Sequence, residues 1–188
     1  MKKTYILLLT LTITSLSFGQ EIMLNGDFES WDDANTPTSF TKIENIEQET
    51  VEFHGGANSA KHTGGTKDLG QTITGIIPGA SYTISLWYKV ASGDETTARI
   101  WSYWKSAGLS INDNASELRG PNNAYFSNNA GAWTQYSTTV TAPASADAFY
   151  FEVRTYSGGV VYWDDFSVFK ESVANPALSI VSPGSGDY

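Results

Sequence analysis

Residues 81–90 alternate without a break: Tyr82, Ile84, Leu86, Tyr88 and Val90 fall on one face, and Thr83, Ser85, Trp87 and Lys89 on the other. A period of two with one apolar face is the signature of a half-buried strand. Residues 97–104 repeat it, with Arg99, Trp101 and Tyr103 opposed to Ile100, Ser102 and Trp104. Residues 149–156 put Phe149, Phe151 and Val153 inward and leave Tyr150, Glu152, Arg154 and Tyr156 outward. Residues 133–141 and 160–169 supply two more strands. Turn-forming residues separate these runs at Asn25-Gly26, His54-Gly55-Gly56, Pro78-Gly79, Ser92-Gly93-Asp94, Gly120-Pro121-Asn122-Asn123 and Ser157-Gly158-Gly159. No stretch of about twelve residues keeps a helical period. The pattern predicts an all-β fold, a two-sheet antiparallel sandwich over residues 21–170.

The two ends read differently. Met1, Lys2 and Lys3 form a basic start, and residues 4–17 are largely apolar, ahead of small or amide residues at Gly19 and Gln20. That run is shorter than the roughly 20 residues a membrane-spanning helix needs. Residues 1–20 are therefore expected to be a signal peptide and the product to be secreted, with no membrane association. Residues 171–188 read either as a linker and the start of a further β-domain, which points to a covalently attached downstream partner, or as a frayed tail.

Composition narrows the chemistry. In 188 residues only 16% are charged, the net charge is -9, and there is no cysteine. Zero cysteine removes disulfide scaffolds, thiolate nucleophiles and zinc fingers together. An acidic chain has no basic surplus to displace counterions from a phosphate backbone, so nucleic acid is not an expected partner. His54 and His62 lie eight positions apart and form no metal pair, and neither a His-Glu-x-x-His motif nor a Gly-x-Ser-x-Gly elbow occurs. Nothing in the spacing of Glu29, Glu44, Glu47, Glu49 and Glu52 calls for the carboxylate pair of a glycoside hydrolase.

Six segments occur in a telling order: Asn25-Gly26-Asp27-Phe28-Glu29; His54-Gly55-Gly56-Ala57-Asn58-Ser59; residues 79–89, ending Leu86-Trp87-Tyr88-Lys89; Trp133-Thr134-Gln135-Tyr136; Thr141-Ala142-Pro143; and Tyr162-Trp163-Asp164-Asp165-Phe166. In this order the chain resembles carbohydrate-binding modules of the family 4/9/22 type over residues 21–170. The resemblance implies a β-jelly-roll that binds polysaccharide or oligosaccharide without turning it over and holds an attached domain there, as a monomer. It also implies a structural calcium ion, with Glu29, Glu52 and Asp164 as side-chain ligands and backbone carbonyls near Asp27 and Gly55 completing the shell. Calcium takes six to eight hard oxygen ligands, and carboxylates from distant segments suit it. Two other readings accompany the binding module: a structural or protein-interaction spacer of the same fold, and a jelly-roll polysaccharide lyase or glycoside hydrolase. The Gln-x-His strand of jelly-roll lyases is missing here.

A sugar site needs flat aromatic groups for the apolar faces of pyranose rings and planar donors for their hydroxyls. Outward alternation offers Arg99, Trp101 and Tyr103 on one strand, Glu152, Arg154 and Tyr156 on a second, and Trp87 with Lys89 on a third. If the three strands share a sheet, they make one patch. Stacking is expected on Trp101 and Tyr103, and hydroxyl bonding from Arg99, Glu152 and Arg154. An arginine-lined face favours acidic or hydroxyl-rich glycans, or simply pairs with Glu152. Trp104, Trp133 and Trp163 read as core. Residues 117–126, with Arg119 and Tyr125, form either a wall of the site or the cover of a sheet edge.

Overall fold

The computed structural model describes residues 18–156 and 158–172. The expected leader falls almost wholly outside these residues, as does nearly all of the expected linker and second-domain strand. In chain order the strands are β1 (Gln20–Glu21), β2 (Trp31–Asp33), β3 (Thr36–Pro37), β4 (Lys42–Ile43), β5 (Ile46–Glu49), β6 (Ser59–Thr63), β7 (Lys67–Thr74) and β8 (Ser81–Ser92). They continue with β9 (Ala98–Ile100), β10 (Tyr103–Ser106), β11 (Leu109–Ile111), a one-turn helix α1 (Ala115–Leu118), a 3-10 turn (Pro121–Asn123), β12 (Thr134–Thr141), β13 (Ala148–Thr155) and β14 (Val160–Lys170).

They form two antiparallel sheets. One runs β12-β8-β14-β6-β5, with β1 also on β14; the other runs β11-β10-β13-β7-β4, with β9 also on β13. A two-strand ribbon, β2-β3, stands apart. This is the expected sandwich, and chain neighbours such as β7 and β8 lie in different sheets, so the pairing is largely non-local.

Alternation explains the packing. In β8 the burial follows the sequence period, with Tyr82, Ile84, Leu86, Tyr88 and Val90 buried and their neighbours half-buried. β13 sends Phe149, Phe151 and Val153 into the core from the facing sheet, joined by Leu69, Ile100 and Trp104. Aromatic contacts close the gap between the sheets: Tyr82 meets Trp104 edge-on at 5.7 Å, and Phe151 meets Phe166 at 4.8 Å.

Strand β14 breaks its own period. Its register against β8 slips between Asp164 and Ser167, and Asp165 takes φ 46°, in the left-handed region. The extra residue of this bulge resets the phase. Trp163 before it and Phe166 and Val168 after it all reach the core, although strict alternation would turn the last two outward.

Candidate functional site

The outer face of the β10-β13-β7 sheet carries the densest aromatic and cationic cluster. Antiparallel register sets Arg99 opposite Arg154 and Tyr103 opposite Tyr150. Arg154 in turn stands opposite Asp68, and Glu152 opposite Gly70. Between β9 and β10 the chain stays against β13, because the Trp101 amide donates to the Glu152 carbonyl at 2.8 Å. That bond fixes Trp101 in the centre of the face.

All three arginines of the chain converge on Trp101. The guanidinium carbons of Arg99, Arg119 and Arg154 lie 4.5, 4.7 and 4.8 Å from its ring centroid. An indole has two faces, so three guanidiniums above it leave little bare ring, and the expected stacking platform is instead a support that holds cations by attraction to its π-face. Arg99 also lies 4.9 Å over Tyr125, which meets Tyr156 edge-on at 5.4 Å. Tyr103 and Tyr150 pair at 5.0 Å and stay half-buried, leaving phenol rings on the same face.

Arg119 comes from the segment between β11 and β12, which folds back over the face. Ser102 donates to the Leu118 carbonyl (2.8 Å), the Phe126 amide to Ala98 (2.8 Å), and the Tyr136 hydroxyl to Glu117 (2.6 Å). Arg99 clamps the segment from below, donating to the carbonyl of Arg119 (2.9 Å) and to the carbonyl and side-chain oxygens of Asn123 (2.8 Å each). Residues 117–126 thus form a wall beside the face.

The charges are unevenly paired. Arg154 lies against both Glu152 and Asp68, the latter at 3.3 Å. Burial pushes the Glu152 carboxyl above its ordinary range, opposed by its bonds to Tyr150 and Arg154. Burial likewise raises the Tyr150 phenol. Among the described residues the Arg119 guanidinium hydrogen-bonds only to the amide oxygen of Asn112.

Several expected positions are corrected. β8 belongs to the other sheet, so Trp87 and Lys89 do not join this face. Trp87 instead stacks on His54 at 3.7 Å, and His54 bonds Asp165 through Nδ1 at 2.6 Å. Trp133 is half-buried beside His54 (5.9 Å) rather than in the core. Glu152 faces outward but is only 3% exposed beneath its partners, and Arg99 only 8%. Tyr103, Arg154 and Tyr156 lie half-buried at the face, as alternation placed them. Sequence reasoning passed over Asp68, whose role depends on the β7-β13 register, and left Arg119 and Tyr125 undecided.

The carboxylates assigned to calcium do not gather. Glu29 accepts from the amides of Ala57 (2.7 Å) and Asn58 (2.9 Å), which hold its carboxyl below the usual range. Asp164 accepts from the amides of His54 (2.7 Å) and Gly55 (3.1 Å), while Glu52 pairs with Lys89 at 2.5 Å. Burial nevertheless lifts the Asp164 carboxyl to about 6. Among the described residues no group of three or more His, Asp or Glu side chains is placed to hold a metal ion. As they lie, these three do not fit a calcium shell.

A cavity of about 290 Å³ lies between β1 and the bulge of β14, lined by Glu21, Asn25, Asp27 and Asp165 among others, and shares no residue with the arginine face.

Residues 20–158 match the family model described as "Carbohydrate binding domain". The chain belongs to this carbohydrate-binding domain family. Among curated proteins no match was found. Solved structures agree on the fold. A family 16 carbohydrate-binding module superposes with a TM-score of 0.56 at 16% identity, over 78% of this chain and 98% of that one. The CBM22-1 xylan-binding domain of Paenibacillus barcinonensis Xyn10C gives 0.59 at 12% identity, over 85% and 100%. The CBM22-1 and GH10 modules of Clostridium thermocellum xylanase 10B, complexed with xylohexaose, give 0.53 at 12%, over 80% and 28%. Within the described residues of this carbohydrate-binding domain, no helix is long and apolar enough to cross a membrane.

Proposed function

We propose that this carbohydrate-binding domain is a secreted, non-catalytic module that binds polysaccharide on the outer face of the β10-β13-β7 sheet and keeps an attached domain at that substrate. The observation that supports it most is the convergence of Arg99, Arg119 and Arg154 on Trp101, with Tyr103 and Tyr150 beside them, on the outer sheet face of a member of a carbohydrate-binding domain family. The tyrosine pair offers rings for the apolar faces of sugars, and the guanidiniums offer planar donors for oxygen substituents. Trp101 acts through the arginines it holds. An open face buries little area, so single-site affinity is modest and attachment to a larger chain raises retention. The xylanase neighbour, in which a module and a GH10 unit share one chain, supports the tethering role by analogy.

Affinity electrophoresis of the full chain through gels containing soluble polysaccharides, with Trp101→Ala alongside, tests this. Retardation by a glycan class, weakened at least tenfold in the variant, is the expected result. Uniform mobility across a broad panel would replace the proposal with a spacer role.

A further inference from the structure

The arginine face poses an electrostatic problem that a neutral sugar does not solve. Arg99, Arg119 and Arg154 each lie within 5 Å of one ring centroid, so their charges sit within about 10 Å of one another, close to the Debye length of roughly 8 Å at physiological salt. Both nearby carboxylates, Glu152 and Asp68, are committed to Arg154. Among the described residues no carboxylate lies within ion-pair distance of Arg99 or Arg119. Arg99 is more than nine-tenths buried, and its hydrogen bonds go to neutral oxygens of Arg119 and Asn123. A buried cation without a counter-ion is costly, and contact with Trp101 and Tyr125 offsets only part of that cost. The chain as a whole carries -9, with 20 acidic residues and three arginines. With acids this abundant, two arginines still meet on one indole without one.

We infer that this face recognises an acidic polysaccharide, one bearing carboxylate or sulfate groups, and that an anionic substituent completes the cluster by sitting against the guanidiniums of Arg99 and Arg119. The inference rests on the polysaccharide-binding reading and gives it a substrate class. Guanidinium forks match the paired oxygens of carboxylate and sulfate, and a site already held by Trp101 and Asn123 needs little ordering when the anion arrives. Tyr103 and Tyr150, beside the cluster, are placed to support the sugar ring that carries the anion.

The net charge sharpens the test. A protein at -9 is repelled by a polyanion overall, so retention on one must come from a local site. The full chain is run in gels containing polygalacturonate or κ-carrageenan, and in gels containing the same polymers after carboxyl reduction or desulfation. The expected result is retardation by at least one acidic polymer with an apparent Kd at least tenfold below that for its uncharged counterpart. That advantage shrinks at high salt, and which pair shows it tells carboxylate from sulfate. Arg119→Gln, which keeps a donor for Asn112, weakens acidic binding at least tenfold, and Arg119→Lys weakens it less. Equal retardation by charged and uncharged polymers, or retardation by neutral glycans alone, overturns the inference and leaves the polysaccharide-binding reading standing. No retardation by any polymer removes both. The comparison of charged with uncharged polymer uses the wild-type protein, so it decides the matter even if a variant folds poorly.

Discussion

His62 lies fully buried on β6, in contact with both sheets: its Nδ1 accepts from the Trp163 indole of β14 at 3.3 Å and stands 3.1 Å from the Thr155 hydroxyl of β13. Its Nε2 has no hydrogen-bond partner among the described residues. Burial pushes its pKa from 6.5 down to about 4, against the pull of nearby Glu44 and with a smaller push from Lys67. The unfolded chain therefore takes up a proton as the pH falls through 6.5, and the folded chain only near 4. Between these values the unfolded state holds more protons, so acid favours unfolding. Linkage over that span predicts a loss of about 2 kcal/mol between pH 7 and pH 5. The wild-type curve alone shows only part of this loss, because Asp164 works the other way. Its carboxyl, raised to about 6, is protonated in the folded state before the unfolded one. Its contribution is complete below the ordinary midpoint of 3.8 and lost as the pH rises through 6, worth roughly 1 kcal/mol over the same interval. The comparison with His62→Gln isolates the histidine, since glutamine retains an acceptor and does not titrate. Urea unfolding at pH 7 and pH 5 should show wild type losing about 2 kcal/mol relative to the variant, a Tm difference of about 4–8 °C. A stability difference between the two proteins that stays within about 0.5 kcal/mol across that range would refute the assignment of a neutral, strongly depressed His62.

Other outcomes follow from local geometry. Gly120 has φ 99°, and a Cβ there would lie 2.0 Å from the Ala124 carbonyl oxygen. Gly120→Ala is expected to cost about 1–3 kcal/mol by thermal melting and to weaken polysaccharide binding by displacing Arg119. Removing calcium with EDTA is expected to leave the melting temperature within about 2 °C, because backbone amides and Lys89 already hold Glu29, Asp164 and Glu52. A fall of 5 °C or more, reversed by added calcium, would show instead that these groups rearrange around an ion. Phe151→Ala empties the contact with Phe166 between the sheets and should cost about 3–5 kcal/mol in denaturant unfolding.

How far the sequence revealed this depends on the range of the interaction involved. The faces of β8 and β13 were legible because alternation is local and both strands bury one side. Which strands shared a sheet was not, because β8 and β13 are placed by long-range pairing. That is why Trp87, correctly read as outward, was assigned to a patch in the wrong sheet. Trp101 was placed on the right face, but its three arginines come from β9, β13 and the segment after α1, and no spacing rule unites them. The reversal at Asp165 was hidden as well. A run that reads as one strand carries no mark of an inserted residue except the tolerance of aspartate for positive φ. Trp133 reads as core when taken as the first residue of a strand over 133–141, but the strand begins at Thr134, and Trp133 flanks His54 on the outside.

The pairing of β1 with the end of β14 bears on how such a module behaves under mechanical load. Gln20 and Lys170 are direct partners in an antiparallel register, so the polypeptide enters and leaves the folded unit side by side. With the expected leader removed, a pull on the segment after Lys170 loads the end of β14 at the rungs it shares with β1 and β8, which open one at a time instead of shearing together. The two-residue β1 is the first to yield, and it peels from the sheet that does not carry the arginine cluster. A module anchored to a polymer and pulled by an attached downstream domain would thus yield at this seam while its gripping surface stays whole.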